Sequence, residues 1–210
     1  MVKQRLYAFK IISKIKWLKI LPFLFLVQAT SIYTGCSDLK QCFGLPEGCV
    51  STKDCKMITS LKLENGKVDV ELVNNEMKQA NYLAMAFSGD EKMGDDLVFV
   101  CSPTWIEDPR VKVFWNSNAY HSDKLNGNED VPKNQSIQEK DSRLTCMFSL
   151  EKQVTIKTDN ENKEYNFEEG YHILLASGPV KGGTGIEKHT EGKMAFSDKF
   201  GKQGKNTLIG

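Results

Sequence analysis

Apolar residues recur along this chain with a period of two. Val68, Val70 and Leu72 alternate with Asp69 and Glu71, so Lys67 to Val73 reads as a strand with one wet face. The run Lys56 to Leu63 precedes it across Glu64-Asn65-Gly66, and Asn-Gly accepts the positive φ angles of a tight hairpin turn. Val111, Val113 and Trp115 share one side of Arg110 to Asn116, and Leu144, Cys146 and Phe148 share one side of Arg143 to Leu150. Tyr82 to Ser88 is apolar on both faces, as a central sandwich strand is. Leu97 to Cys101, Val154 to Ile156 and Tyr171 to Gly178 complete the predicted set. Segments 74–81 and 117–140 read as polar connections, and Cys36 to Cys55, rich in Gly, Pro and Cys, reads as a stapled cap without regular structure. Helical periodicity over three turns and internal repeats are both lacking. The pattern predicts an all-β fold: an immunoglobulin-like antiparallel β-sandwich with a cysteine-rich N-terminal segment, one domain over residues 36–200 and a flexible tail at 201–210.

The first residues stand apart from that pattern. Lys3, Arg5, Lys10, Lys14, Lys16 and Lys19 lead into an apolar run from Ile20 to Val27, followed by Val27-Gln28-Ala29. A basic stretch, a short apolar core and small residues make a cleavable secretory signal over 1–29, too short to span a bilayer. Removing those six of the 28 basic residues leaves 22 against 27 acidic ones, a balance that excludes non-specific nucleic-acid binding. No second hydrophobic span follows. The expectation is a secreted, extracellular protein with no membrane span after cleavage.

Six cysteines change the picture further. An even number in a secreted chain points to disulfides. Zinc competes as a reading of Cys36, Cys42, Cys49 and Cys55, but they form no C-x-x-C pair and have no histidine beside them. Asn134-Gln135-Ser136 is an acceptor triplet for N-glycosylation at Asn134, in the polar 117–140 stretch.

The candidate chemistry is sparse. The histidines are His121, His172 and His189. There is no nucleophile elbow and no two-histidine metal spacing, and the glycine-rich Gly178 to Gly185 is not followed by a helix that could cradle phosphate. Asp90, Glu91, Asp95 and Asp96 lack the alternate-position spacing of a calcium loop and read as a solvated edge. Among them stands Met93, a core residue type in an acidic loop. A thioether and an imidazole brought together from two loops can hold both axial positions of a haem iron, leaving no open site for substrate.

The stretch around Met93, Glu91 to Cys101, resembles the K-M-G-x-D-D signature of the DOMON domain, in the version found in animal ferric-chelate-reductase-like proteins. The resemblance extends to Cys42 to Cys49, to Ser142 to Phe148 and to Tyr171 to His189, with its aromatic strand, Gly-Pro turn and closing histidine. It implies a DOMON-type sandwich whose haem-binding members use Met and His as ligands to a non-covalent b-type haem. Carried over by position, Met93 and His189 are the iron ligands, with His172 in reserve, and Tyr82, Phe99, Trp115 and Leu174 are candidates to line the haem. The resemblance also implies a Cys101–Cys146 disulfide, leaving Cys36, Cys42, Cys49 and Cys55 to pair among themselves. The expected function is a secreted haem b electron-transfer domain. The expectation leaves open whether it is an enzyme: it is read as part of a ferric-reductase-like redox system that needs an external electron partner, since the chain shows no membrane-spanning electron-transfer module of the kind larger relatives have. The alternative is a non-haem module for an extracellular carbohydrate, protein or other ligand on the same sandwich.

Overall fold

The computed structural model describes residues 31–77, 81–105, 110–118, 121–182 and 185–201. The signal expected at 1–29 and the tail beyond Gly201 lie outside them. In chain order the elements are β1 (Gln41–Leu45), the short α1 (Cys49–Thr52), β2 (Met57–Glu64), β3 (Lys67–Asn74), β4 (Asn81–Ser88), β5 (Asp96–Cys101), β6 (Lys112–Asn118), β7 (His121–Lys124), β8 (Lys133–Lys140), β9 (Arg143–Glu151), β10 (Gln153–Lys157), β11 (Asn162–Asn166), β12 (Tyr171–Lys181), β13 (Gly185–Ile186) and β14 (Glu191–Phe200). The order β1-β2-β3-β9-β8 makes a five-stranded sheet. A seven-stranded sheet runs β13-β12-β4-β5-β6-β7 with β14 also on β12, and β10 and β11 form a hairpin. All pairings between named strands are antiparallel. The sandwich expected from the period of two is the observed fold.

Alternation decides what is buried. Leu83, Met85 and Phe87 of β4 and Leu97, Phe99 and Cys101 of β5 turn into one core with Val68, Val70 and Leu72 of β3 and Leu144, Cys146 and Phe148 of β9. Phe87 anchors an aromatic cluster with Phe99, Phe167, Tyr171 and Phe200, its ring centroid 4.6 Å from that of Phe167. The Cys101–Cys146 disulfide ties β5 to β9, and so one sheet to the other, with 6.7 Å between the Cα atoms. The four early cysteines pair as Cys36–Cys42 and Cys49–Cys55, which leaves no thiolate for zinc. Three disulfides are the mark of an oxidising, extracellular environment. No helix among the described residues is long and apolar enough to cross a membrane.

Several elements depart from the sequence reading. The stapled cap contains β1 and α1, and the 117–140 stretch contains β7 and β8. The segment after His189 forms β14, which closes the free edge of β12. β1, β7, β8 and β14 are edge strands. They are held by backbone bonds to a partner strand, and their side chains need not alternate in polarity, so periodicity does not reveal them. Asn134 accordingly lies on β8 and not in a loop, exposed, with φ 50° at a register shift, its Nδ2 donating to Ser149 Oγ at 2.9 Å.

Candidate functional site

Residues on β4 are small on one face and large on the other. Leu83, Met85 and Phe87 fill the core, while Ala84 and Ala86 turn away from the five-stranded sheet. Cross-strand register sets Ala84 opposite Ala176, Ala86 opposite Leu174 on one side and Val98 on the other, and Tyr82 opposite Gly178. Together these form the floor of a cleft on the outer face of the seven-stranded sheet, offering about 1080 Å³ counted out to its open mouth, of which about 220 Å³ can take the centre of a water molecule. Tyr82, Val98, Leu174 and Ile186 make its apolar walls, and Glu91, Glu187 and Lys188 bring charge to it.

Both Met93 and His189 line this cleft, and both are half-buried. Their loops rise from opposite ends of the floor: Met93 from the β4–β5 connection, and His189 from the segment between β13 and β14. From Tyr82 to Ser88 the floor is on the order of 20 Å long, and both residues border it. The cleft thus lies on a sheet face, bordered by both loops.

Each loop is pinned. Around His189, the Glu187 amide donates to the Pro179 carbonyl at 2.9 Å and the Thr190 amide to the Ser177 carbonyl at 3.1 Å. The Tyr82 hydroxyl donates to the Glu187 carbonyl at 3.1 Å, and burial pushes this phenol well above the usual tyrosine range, keeping it a neutral donor. Gly178 lets the loop come this close: a Cβ there would lie 2.8 Å from the His189 Cα and 3.1 Å from the Lys188 carbonyl oxygen. Gly178→Ala is therefore expected to push the His189 backbone off the floor and to cost about 1–3 kcal/mol. A fall in the denaturation midpoint together with a shifted His189 ring resonance checks this.

At the other end Gly94 (φ 140°) and Asp95 (φ 60°) turn the chain after Met93 in backbone regions open to glycine and tolerated by aspartate. Asp95 forms an ion pair at 2.8 Å with Lys163 of β11, whose ammonium lies 4.5 Å from the centre of the Trp115 ring. Asp96 contradicts the reading of a solvated acidic edge. It is 0% exposed, because it opens β5 inside the sheet. Burial pushes its carboxyl above the usual range, and hydrogen bonds from Gly94 and Asn116 push it back.

The other sequence candidates divide. Tyr82 and Leu174 line the cleft, whereas Phe99 and Trp115 lie on the opposite face of their strands and belong to the core. His172, the reserve ligand, is not among the lining residues. It is buried on β12 with Nδ1 at 2.9 Å from the Phe196 carbonyl. His121 starts β7. The alanine floor escaped the sequence reading, although its signal was there in the large–small alternation of Leu83 to Phe87.

Comparison with known proteins agrees with the sandwich fold. No protein-family model matches the chain. It is 30% identical over 172 residues to a Drosophila melanogaster protein named as a ferric-chelate reductase 1 homolog, covering 80% of this chain but only 26% of the relative, about a quarter of its length. It is 28% identical over 198 residues to an uncharacterized Caenorhabditis elegans protein, covering 84% of this chain and 80% of that one. Among solved structures, the cytochrome domain of Myriococcum thermophilum cellobiose dehydrogenase superposes with a TM-score of 0.52 at 10% identity, over 77% of this chain and 82% of that domain. The chain forms a DOMON-like domain. Within the DOMON-like sandwich, the candidate ligands Met93 and His189 come from the loops that border the cleft, and the strands supply its floor.

Proposed function

We propose that the DOMON-like cleft binds one b-type haem between Met93 and His189 and that the domain passes electrons to and from an external redox partner. The observation that supports this most is that these two residues, far apart in the chain, line one apolar cleft. The donor set fits a haem. A thioether and an imidazole are a pair that holds haem iron in electron-transfer proteins, and Met93 and His189 would supply one each. The small side chains of Ala84, Ala86 and Ala176 suit a flat apolar ring, and the Lys188 ammonium suits a propionate. When bound, such a group supplies reversible one-electron chemistry at the iron.

The chain's own residues do the rest. Met93 contributes a soft sulfur that favours the reduced state, and His189 contributes a nitrogen donor. Tyr82, Val98, Leu174 and Ile186 exclude water from the cleft. Met93 and His189 would be the two residues that hold the iron, and any ferric reduction of the kind named for the Drosophila relative would fall to a partner. Secretion through the expected signal and a glycan on Asn134, which lies on the sheet opposite the cleft, belong to the same proposal.

The test is spectroscopic. Protein expressed with haem supplied should show a Soret band and, on reduction, sharp α and β bands. A colourless, fully folded protein overturns the proposal. One observation favours a non-haem module for a carbohydrate, protein or other polar ligand: Asn116 and the unpartnered Ser122 Oγ also line the cleft. That reading expects ligand binding to be indifferent to Met93→Ala.

A further inference from the structure

A row of polar residues crosses the apolar cleft face at the end where Met93 enters. His172 of β12 pairs with Ser88 of β4, Ser88 lies beside the Asp96 carboxyl of β5, and Asp96 pairs with Asn116 of β6, which pairs with Ser122 of β7. Ser88, Asp96 and Asn116 are all buried. Polar side chains in such a position are costly unless their hydrogen bonds are made, and most of the bonds they make go to one place, the 90–95 loop. Ser88 Oγ accepts from the Asp90 amide at 3.2 Å and donates to the Lys92 carbonyl at 3.4 Å. Asp96 Oδ2 accepts from the Gly94 amide at 2.8 Å and from Asn116 Nδ2 at 3.1 Å. The backbone carbonyl of Asn116, on the neighbouring strand, accepts from the Asp95 amide at 2.6 Å. The backbone groups on either side of Met93, the Lys92 carbonyl and the Gly94 amide, are thus both held by this row.

We infer that Asp96, with Ser88 and Asn116 beside it, is the positioning residue that seats the Met93 side chain in the cleft. The inference rests on the haem reading for its purpose, and on the hydrogen bonds alone for its mechanism. The row retains unused capacity, since Asp96 Oδ1 and Ser122 Oγ are buried without partners. Buried polar atoms of this kind are the usual seats of ordered water.

The experiment compares Asp96→Ala, Asp96→Asn and Ser88→Ala with the parent protein, each first without haem and then with it. In the haem-free proteins, amide hydrogen exchange reads the bracket directly. Asp96→Ala should speed exchange at Gly94 by roughly tenfold, the loss of about one hydrogen bond. Asp96→Asn should restore most of the protection, because an amide oxygen still accepts from Gly94. With haem, Asp96→Ala should weaken the near-infrared band that marks a thioether on ferric iron, and Asp96→Asn should keep it. A role confined to fold stability would lower the denaturation midpoint in all variants and leave that band intact. Unchanged exchange at Gly94 in Asp96→Ala, or a full-strength band, overturns the inference. If Asp96→Ala does not fold, Ser88→Ala carries the test through faster exchange at Asp90 and the same band; no change in either overturns it. Absence of haem binding in the parent protein would sink the cytochrome reading and leave the exchange arm to judge the bracket separately.

Discussion

Replacing Met93 with alanine is expected to convert the haem-loaded protein from a low-spin six-coordinate species to one held by His189 alone, with the Soret band shifted and the sharp reduced bands lost. The thioether is the softer of the two donors and stabilises ferrous over ferric iron, so the midpoint potential should fall along with it. Loss of an outer-shell partner typically weakens metal binding by about 10–100-fold, and loss of a direct ligand should weaken haem binding at least as much. His189→Ala should also abolish the six-coordinate spectrum. His172→Ala should not, because that ring lies outside the cleft lining with a nitrogen on the Phe196 carbonyl. Spectra and a potentiometric titration of the three variants check this. A six-coordinate spectrum that survives Met93→Ala, or one lost in His172→Ala, would assign the ligands elsewhere.

Removing the Cys101–Cys146 bridge is the stability change expected to be largest. The bridge spans 45 positions and ties β5 to β9 through the middle of the core, whereas Cys36–Cys42 and Cys49–Cys55 each span 6. Chain-entropy reasoning gives about 4 kcal/mol for the long loop and about 2 kcal/mol for a short one. The double variant Cys101→Ala with Cys146→Ala should therefore lower the denaturation midpoint about twice as far as Cys36→Ala with Cys42→Ala. Alanine at both positions avoids burying a hydroxyl in the space the sulfurs leave. Equal losses from the two double variants would show that strain or residual structure outweighs loop entropy here.

The sequence made some features legible because they are properties of single strands. The alternation of Val68, Val70 and Leu72 with charged residues fixed which face of β3 is wet, and Asn65-Gly66 announced its hairpin; both residues have positive φ, 52° and 77°. Met93 stood out because an apolar side chain in an acidic loop has no core to serve. Edge strands β8 and β14 were not legible, since their stability comes from pairing with β9 and β12. Asp96 misled for the same reason. Next to Asp90, Glu91 and Asp95 it looks like one more solvated charge, and only its place inside the β4–β5–β6 ladder shows that it is buried and bonded to Gly94 and Asn116.

Phe99 and Trp115 show where local reading ends. Both were plausible walls for a haem, and both lie one residue from the cleft face, because a strand's side chains alternate and the choice of face belongs to the sheet packed against it. By itself the sequence determined an all-β sandwich, its cysteine-rich start and one misplaced methionine, since those follow from period, composition and local polarity. Only the tertiary structure decided that Met93 and His189 line the same cleft, that its floor is made of alanines, and that a buried carboxylate anchors the methionine loop. Those facts depend on which strands become neighbours, and cross-strand register brings together residues that no spacing along the chain connects.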